Sequence, residues 1–463
     1  MSSQHVTKLP LVFYGDDFTG STDALEVLTA AGLKCALFLD PPTPELLAEL
    51  GGFDAIGIAG DSRALSNAEM DVALPEIFEG IKRLSPALIH YKVCSTFDSA
   101  DSVGSIGHVI ELASRIYGVK GVPIIAGNPA LGRYCVFGNL YALSKTDHKV
   151  HRIDRHPIMR AHPITPMHEA DLSIHIGKQK NLSIGKVDIS QLARSAELSG
   201  LVNELSQQHD AVLFDGSDDS HMITAGQVLT ELSSGAAPVF VVGSSGVEYG
   251  LTQYWRTAGV FPPRASLATP LKPVDQVLVI SGSASPLSQA QIEAAIDYGF
   301  VELEVDAAAL ITESRKSAAI RDVVMAAVSH LEEGRSVLIH TAKGPGDSRI
   351  EQMIEAMLQK GLPRDEARVQ GGKQLAMEVG QVALEILKAF PLKRLVVSGG
   401  DTSSQVTKVL APDALVIKSD ISPGAPLCEM RSREPYLKDV EIALKGGQMG
   451  NRDYFVKALR GLE

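Results

Sequence analysis

The chain has 463 residues, a formal net charge of -12 and a hydrophobic content of 45%. This length exceeds what one ordinary hydrophobic core organises, so we expect two domains. The acidic balance argues against non-specific binding to nucleic acid or to an anionic membrane, because both require a basic face.

Targeting and membrane signals are absent from the sequence pattern. Residues 1–10 are polar and lack the apolar core of a signal peptide. No apolar run approaches the roughly 18 residues that suggest a membrane span. The four cysteines lie far apart and form no CxxC pair, which is typical of a reduced protein without a structural zinc site. We therefore expect a cytoplasmic protein.

In the first half of the chain, short apolar runs alternate with amphipathic segments, a pattern typical of a parallel α/β sheet. The predicted strands are 11–15, 35–39, 55–60, 87–93, 122–126, 211–215 and 239–242, and the predicted helices include 23–31, 68–84 and 106–117. Residues 128–171 interrupt this rhythm and are rich in His, Pro and Arg. They indicate an extended insertion or a functional loop.

Prolines cluster in residues 255–274 and indicate a linker. The alternation then restarts with predicted strands at 276–281, 300–305, 336–341, 394–398 and 415–418. We predict an N-terminal domain of residues 1–264 and a C-terminal domain of residues 265–463. The expected fold class is α/β, with mainly parallel sheets in two domains and a cleft between them.

The most informative stretch is the first strand, which is followed at once by Asp16 and Asp17 and by a helix predicted to begin near Thr22. Ligands of open α/β sheets bind at the carboxyl ends of strands, and neighbouring carboxylates need a cation, donors or a shared proton. The pair indicates a general base or a hydroxyl-binding carboxylate. The alternative is that one Asp caps the following turn while the other is solvated. Gly15 excludes an aspartyl-phosphate nucleophile, which would require Asp at that position.

Two further strand ends carry polar side chains. Arg63 is suited to a bidentate pair with a ligand carboxylate, although an ordinary surface salt bridge explains it equally well. Lys92 offers positive charge, and Ser95 and Thr96 offer hydroxyl groups. Cys94 is better explained as a small buried thiol than as a nucleophile.

Three Gly/Ser-rich segments follow apolar runs in the second half of the chain, at residues 281–285, 398–404 and 445–450. Small residues allow backbone N–H groups to approach phosphates, and helix N-termini add a favourable dipole. None matches the Walker motif or GxGxxG. Together they nevertheless predict a nucleotide-binding domain, whereas the single loop 243–246 of the first domain is equally explained by tight packing.

Taken in order, these segments resemble the four-carbon acid sugar kinases, the family of 3-oxo-tetronate, threonate and erythronate 4-kinases. The resemblance spans nearly the whole chain and is carried by Gly15-Asp16-Asp17-Phe18-Thr19-Gly20, Ser62-Arg63, Lys92 with Ser95-Thr96, Gly132-Arg133, Asp154-Arg155-His156-Pro157, Pro163-Ile164-Thr165-Pro166-Met167, Ser398-Gly399-Gly400-Asp401-Thr402 and Lys445-Gly446-Gly447. It implies that the N-terminal domain binds an acid sugar and the C-terminal domain binds ATP, with transfer across the cleft.

The resemblance also implies roles for individual residues. Asp17 is expected to be the base, with Asp16 positioning it or Mg²⁺. The expected substrate contacts are Arg63, Lys92, Ser95 and Arg155, and the expected ATP contacts are Ser283, Gly399, Gly400, Asp401, Thr402 and Gly447. ATP and Mg²⁺ are the expected cofactors, and the sequence does not reveal the metal ligands. The expected partner is a small acid sugar, with neither nucleic acid nor membrane, and a homo-oligomer is compatible with this interpretation.

One segment departs from the family pattern. Many relatives carry Lys-Ile-Asp-Ser-Thr-Leu-Arg-Gly where this chain has residues 92–99, so that Cys94 replaces an Asp and Asp98 replaces an Arg. The change removes a bidentate carboxylate partner beside the expected substrate pocket. The variant segment resembles that of a subgroup associated with branched acid sugars such as 3-oxo-isoapionate, which is our hypothesis for the substrate.

Two alternatives stay open. An NAD(P)-dependent oxidoreductase of a sugar acid would use loop 243–246 or 281–285, with Glu304 or Asp306 as the acidic residue that binds the ribose. A non-catalytic sensor of sugar acids or nucleotides would need neither the Asp pair nor the phosphate-binding loops.

Overall fold

The computed structural model describes residues 9–144, 147–162, 165–261 and 269–461, without the side chains of residues 195–197. The chain divides into two compact units, Met1–Ser266 and Leu267–Glu463. The predicted boundary between residues 264 and 265 lies outside the described residues, as do Pro163 and Ile164. Both units are α/β, which confirms the predicted fold class.

The first unit is built on a parallel sheet. Its strands are β1 (Leu11–Gly15), β2 (Cys35–Phe38), β3 (Ala55–Ala59), β4 (Leu88–Lys92), β5 (Val122–Ile125), β6 (Arg133–Val136), β7 (Asn139–Leu143), β8 (Val150–Arg152), β9 (Ile184–Val187), β10 (Ala211–Phe214) and β11 (Val239–Gly243). The main sheet has the order β2-β3-β1-β4-β11-β5-β10-β9 with parallel pairings. Strands β6, β7 and β8 form a small antiparallel sheet.

Helices connect these strands. They are α1 (Phe18–Ala30), α2 (Pro44–Glu49), α3 (Asn67–Arg83), α4 (Ile106–Tyr117), α5 (Leu172–Lys180), α6 (Ile189–Leu192), α7 (Ser195–Gln208), α8 (Asp219–Leu232) and α9 (Gly246–Thr257). All five residues of β1 are buried, as expected for a central strand that has both faces covered. Because β1 pairs with β3 on one side and β4 on the other, the strand order reverses beside β1. Such a switch point opens a crevice for ligands at the carboxyl ends of the strands.

The second unit has its own mainly parallel sheet. Its strands are β12 (Leu278–Ser281), β13 (Val301–Glu304), β14 (Val337–His340), β15 (Arg394–Ser398), β16 (Ala414–Ser422), β17 (Ala425–Arg431) and β18 (Glu441–Lys445). The order is β13-β14-β12-β15-β18-β17-β16. Pairing is parallel from β13 to β18, and β17 is antiparallel to both of its neighbours in this list.

The helices of the second unit are α10 (Pro286–Tyr298), α11 (Ala307–Leu310), α12 (Glu313–Glu332), α13 (Ser348–Leu358), α14 (Arg364–Ala389), α15 (Gly400–Leu410) and α16 (Tyr454–Arg460). In its core, buried side chains of β12, β14, β15 and β18 pack against those of α10 and α16. The core residues include Val279, Ile292, Leu338, Val396 and Phe455. Across the described residues of both units, none of the helices combines the length and the apolar character needed to cross a membrane.

Several sequence predictions differ from the structure, and β9 and β18 were not among the predicted strands. Helix α1 begins at Phe18 rather than near Thr22, because the side chain of Asp17 caps it. Residues 128–171 are not simply a loop, since they contain β6–β8; these strands are short and partly exposed, so their apolar alternation is weak. Strand β17 was not predicted, because Pro426 and Glu429 interrupt its apolar pattern.

Candidate functional site

The two aspartates at the end of β1 have different environments. The backbone N–H of Asp16 donates to the carbonyl oxygen of Lys92 at 2.9 Å, which extends the pairing of β1 with β4 by one residue. Asp17 is the N-cap of α1, and its Oδ1 accepts from the Gly20 N–H at 3.0 Å. One Asp therefore caps the helix, as the alternative interpretation proposed, but Asp16 is only 5% exposed and is not solvated.

Arg63 binds both carboxylates. It lies in a short 3₁₀ turn after β3, where its backbone N–H donates to the carbonyl oxygen of Asp16 at 3.0 Å. Its Nε and Nη2 donate to the two carboxylate oxygens of Asp16 at 3.1 and 2.6 Å, and Nη2 also donates to Asp17 Oδ1 at 2.8 Å. This bidentate pair is not an ordinary surface salt bridge. It also means that the Arg63 guanidinium is not left entirely free to bind a ligand. Arg63 offsets one of the two negative charges of the aspartate pair and fixes the orientation of both carboxylates.

Burial and neighbouring charges shift the pKa values of Asp16 and Arg63 in opposite directions. Burial raises the pKa of Asp16 to about 6, although Arg63 counteracts the rise. Burial acts to lower the pKa of Arg63, but the carboxylates of Asp16 and Asp17 outweigh it and raise that pKa well above its ordinary value. Arg63 therefore stays protonated across the physiological range.

Lys92 completes the cluster. Its side chain is 5% exposed, and Nζ lies 4.0 Å from Asp23 Oδ2. A Cβ atom at Gly20 would lie 2.4 Å from Lys92 Nζ and 2.3 Å from Asp17 Oδ1. Since both distances are far below van der Waals contact, only glycine at this position lets the ammonium and the carboxylate lie so close to the backbone of residue 20.

The variant segment after β4 forms a tight polar turn. Thr96 Oγ1 lies 2.5 Å from Asp98 Oδ1 and 2.9 Å from Cys94 Sγ, while Thr165 Oγ1 donates to Asp98 Oδ2 at 3.2 Å. Phe97 adopts a φ of 53°, an unfavourable conformation for a bulky residue that the surrounding contacts must maintain.

The charge states in this turn follow from its contacts. Burial acts to raise the pKa of Asp98, but Arg63 and the Thr96 hydroxyl outweigh it and lower that pKa. Asp98 is therefore a buried carboxylate anion. Burial raises the pKa of the Cys94 thiol, so the thiol is neutral, as expected for a buried cysteine and not for an activated nucleophile.

The other two expected substrate contacts are placed differently. Ser95 is half-buried in the same turn, and within the described residues its hydroxyl makes no hydrogen bond. Arg155 is exposed in the 3₁₀ turn Ile153–Arg155, and no hydrogen bond or ion pair recorded for the described residues joins it to the aspartate cluster. The neighbouring Asp154 pairs with Arg152 at 2.6 Å. The structure thus brings together Asp16, Asp17, Arg63 and Lys92, but not Arg155.

Sequence reasoning missed two members of this region. Thr165 reaches Asp98 although the two residues lie 67 positions apart, and no spacing rule connects them. Asp23 lies in the second turn of α1 and faces Lys92. The sequence pattern predicted only that a helix begins at this residue.

In the second unit, the three Gly/Ser-rich loops meet at the carboxyl ends of β12, β15 and β18. The Gly282 N–H donates to the carbonyl oxygen of Ser398 at 2.9 Å, and Ser285 Oγ donates to the carbonyl oxygen of Gly447 at 2.6 Å. A Cβ at Gly282 would lie 2.1 Å from Thr402 Oγ1, and one at Gly447 would lie 2.4 Å from Ser283 Oγ. These glycines permit the close approach of the loops.

The first turn of α15 presents free backbone donors. Its N-cap, Gly399, has a φ of 122° and supplies no side-chain cap, so the first N–H groups of the helix are available to an anion. Thr402 is buried, whereas the Asp401 carboxylate is exposed and makes no hydrogen bond or ion pair within the described part of the chain.

A cavity of about 310 Å³ adjoins these loops, and its lining includes Gly282, Thr341, Arg349, Asp401 and Thr402. Arg349 is held by Asp347, with Nη2 to Oδ2 at 2.6 Å and Nε to Oδ1 at 3.0 Å. Asp347 also caps α13 and fixes the arginine in the cavity wall.

Glu302, Glu304 and His340 place ligand atoms within 4.8 Å of one another, as in a metal site. Lys343 Nζ and His340 Nε2 both lie 2.9 Å from Glu302 Oε1, and Arg349 Nη2 donates to His340 Nδ1 at 3.1 Å. Because these contacts already use Glu302 Oε1 and both ring nitrogens of His340, the cluster is an ion-pair network and a poor metal site.

Comparison with known proteins agrees with this division of the chain. Family models described as a sugar-binding N-terminal domain and a nucleotide-binding C-terminal domain match residues 11–251 and 278–455. The chain is 40% identical to the 3-oxo-isoapionate kinase of Paraburkholderia graminis, covering 96% of this chain and 93% of the relative. It is 29% identical to the 3-oxo-tetronate kinase of Pseudomonas fluorescens, covering 96% and 95%.

Two crystal structures share the fold. A Salmonella typhimurium LT2 protein aligns with a TM-score of 0.75 at 24% identity and covers 98% of this chain and 99% of its own. Haemophilus influenzae protein HI1011 aligns with a TM-score of 0.71 at 22% identity and covers 96% and 98%. These comparisons confirm the resemblance and set aside the oxidoreductase and sensor alternatives. This chain therefore belongs to the acid sugar kinase family, whose members join a sugar-binding domain to a nucleotide-binding domain.

Proposed function

We propose that this kinase transfers the γ-phosphoryl group of ATP to a hydroxyl group of a short branched acid sugar, with Asp17 as the base. The observation that carries this assignment is the asymmetry of the Asp pair. The Asp17 side chain is 31% exposed, against 6% for Asp16. Oδ1 of Asp17 accepts from Gly20 and Arg63, whereas Oδ2 has no partner within the described residues. That oxygen is available to accept a substrate hydroxyl proton.

The surroundings of Asp17 suit this role. Arg63 pairs with both carboxylates, so the orientation of the base is fixed before the substrate binds. Lys92 supplies a nearly buried ammonium beside them, which is suited to the negative charge of a sugar acid. Positioning of the hydroxyl against a carboxylate is the main protein contribution in phosphoryl transfer.

The nucleotide part of the proposal rests on the converging loops of the second unit. Ser283, Gly399, Gly400, Thr402 and Gly447 surround the free N-terminal donors of α15, an arrangement that favours phosphate groups.

Asp401 fits a Mg²⁺ ion, because Mg²⁺ commonly binds one or two protein carboxylates together with nucleotide phosphates and Asp401 is an exposed carboxylate beside these loops. When bound, Mg²⁺ neutralises negative charge on the transferring phosphoryl group.

A 3-oxo-isoapionate-type sugar is the substrate that we propose. Asp98 is a buried anion held by Thr96 and Thr165 at the position where the family pattern has Arg. A carboxylate accepts hydrogen bonds from hydroxyl groups but repels a substrate carboxylate. This favours a sugar that presents a hydroxyl group at that point, and the relative at 40% identity is named for 3-oxo-isoapionate.

The test is ADP release, measured with a coupled assay over 3-oxo-isoapionate, 3-oxo-tetronate, threonate and erythronate. We expect the highest kcat/KM with 3-oxo-isoapionate. A higher kcat/KM with 3-oxo-tetronate would refute the substrate assignment, and tight NAD binding without ADP release from any acid sugar would refute the kinase assignment.

The assignment of the base is tested with Asp17→Asn. We expect kcat to fall by roughly 10² to 10⁴, the usual contribution of a general base, while ADP binding measured by calorimetry is retained. Asp40→Asn is the matched control, because Asp40 is an exposed carboxylate just beyond the carboxyl end of β2. An unchanged kcat for Asp17→Asn would transfer the role to another group.

A further inference from the structure

One face of α14 lines the cavity of the second unit. The residues on this face are Arg368, Gly372, Leu375, Ala376 and Val379, and their spacing of three and four residues places them along one side of the helix. Ile350 and Met353 of α13 also belong to the lining. Apart from Arg349 and Arg368, the residues that the two helices contribute form an apolar wall of the cavity.

The phosphate-binding elements lie in a different part of the same lining. Gly282 and Thr402 belong to the converging loops, and Asp401 is in the first turn of α15. An apolar wall disfavours a phosphate group, which needs hydrogen-bond donors when it leaves water. It suits a flat organic ring, because ligand pockets are mostly apolar with a few polar groups that fix orientation.

Two adjacent glycines in α14 have different surroundings. A Cβ at Gly371 would lie 2.2 Å from Met353 Sδ, so this glycine allows α13 and α14 to pack closely. A Cβ at Gly372 would meet no heavy atom within 4 Å, although Gly372 lines the cavity. Glycine destabilises a helix interior relative to alanine. Helix packing explains why position 371 is glycine, but it gives no reason for glycine at position 372.

We propose that the α13–α14 wall binds the nucleotide base and that Gly372 is a specificity-determining residue, whose missing side chain leaves room for the base. This inference deepens the proposed function, because it assumes that the second unit binds ATP. The base packs against Leu375, Ala376 and Val379, while the phosphates extend to the loops around Thr402. A side chain at Gly372 would occupy the volume that the base requires.

The experiment is calorimetric titration of the full-length protein with ADP and, separately, with inorganic tripolyphosphate, both without acid sugar. For Gly372→Leu we expect the Kd of ADP to rise at least tenfold and the Kd of tripolyphosphate to change less than twofold. Gly372→Ala should give a smaller rise for ADP. The tripolyphosphate measurement shows whether the phosphate loops remain intact.

Gly200→Leu is the matched control. Gly200 also lies within a helix, α7, and a Cβ there would meet nothing within 4 Å, but Gly200 does not line the cavity. An ADP affinity unchanged in Gly372→Leu, or a parallel loss of ADP and tripolyphosphate binding, would overturn the proposal. Since ADP binding requires no turnover, failure here is distinguishable from failure to phosphorylate an acid sugar.

Discussion

Asp16 and Asp17 use the same guanidinium in different ways. Asp16 is buried and pairs with Arg63 through both oxygens, which suits the positioning role that we propose for it. Asp17 pairs with Arg63 through one oxygen only, and its other oxygen has no partner among the described residues, as the proposed base requires. The ionised form of Asp16 is needed for this arrangement, because a protonated carboxyl group would lose the charge-assisted pair.

This division predicts an acidic limb in the pH profile of the kinase. Burial raises the pKa of Asp16 to about 6, so protonation below that pH weakens its pair with Arg63 and lets the guanidinium move away from Asp17. We expect kcat at saturating substrates to fall below pH 6. Asp16→Asn should lower kcat at neutral pH and remove the limb that begins near pH 6, since its amide does not titrate.

The measurement is kcat against pH from 4.5 to 8 for both proteins, at concentrations saturating at every pH. An acidic limb with the same midpoint in Asp16→Asn would assign the titration to another group. The same Asp40→Asn protein used to test the base checks that removal of a carboxylate does not by itself shift the profile.

At the residue scale, sequence reasoning located polar side chains at or near the ends of apolar strands. Asp16, Lys92 and Arg63 were identified in this way, and the structure places them in one cluster, while their roles there stay predictions. It failed to anticipate that Arg63 pairs with the aspartates, because nothing in the order of residues shows which partner a guanidinium chooses. The contact between Thr165 and Asp98 depends on how residues distant in sequence pack, and only the fold reveals it.

At the scale of the elements, strand β18 carries a lysine in an unusual place. Lys445 is the last residue of β18 and is 1% exposed, and its Nζ donates to Ser398 Oγ at 2.8 Å. The ammonium lies 6.0 and 5.9 Å from the ring centres of Tyr454 and Phe455 in α16. No carboxylate lies within ion-pair distance of it among the described residues. Sequence reasoning treated Lys445 only as the start of a Gly-rich loop.

We predict that Lys445 makes stability depend on pH. Burial lowers its pKa from 10.5 to about 7, so between these values the unfolded chain binds more protons than the folded protein does. The free energy of unfolding therefore rises with pH through this window, and the cost of burying a charged Lys445 is fully present below about pH 7. Lys445→Met should give a flatter dependence, because methionine carries no charge to bury.

The measurement is Tm against pH from 7 to 9.5 for the natural protein and Lys445→Met. Lys438→Met is the control, since Lys438 is exposed just before β18. Parallel curves for the natural protein and Lys445→Met would show that Lys445 does not titrate in this range.

The element predictions show which patterns can be read from sequence. Strands β1 and β15 were predicted with their observed limits, because central parallel strands are continuous apolar runs. The three Gly/Ser-rich loops were predicted separately, and their convergence follows from the adjacency of β12, β15 and β18. That adjacency is a property of sheet order. Antiparallel β17 was missed because Pro426 and Glu429 break its apolar pattern.

At the scale of the whole molecule, the division into two α/β units could be predicted from length, the proline cluster and the restarted alternation. Each unit then places its polar residues at the carboxyl ends of its own parallel strands, as open α/β sheets commonly do. The strand order within each sheet could not be predicted. It decides that β1, β3 and β4 bring Asp16, Arg63 and Lys92 together.

This organisation predicts that the two ligands protect different parts of the chain from hydrogen exchange. An acid sugar bound by the aspartate cluster should slow exchange of backbone amides in residues 16–20 and 94–99. ADP should slow exchange in residues 283–284 and 400–402, because the amides there make no hydrogen bond within the described residues and can donate to phosphates. The measurement is hydrogen–deuterium exchange with 3-oxo-isoapionate alone and with ADP alone.

Asp17→Asn makes this experiment selective. The substitution should leave the ADP pattern of the second unit unchanged, because Asp17 belongs to the first unit. ADP protection confined to residues 9–261 would contradict the assignment of the nucleotide to the second unit. Acid-sugar protection confined to residues 269–461 would contradict the assignment of the sugar to the first. Since each ligand is added alone, either assignment is tested without turnover and without assuming that the other is correct.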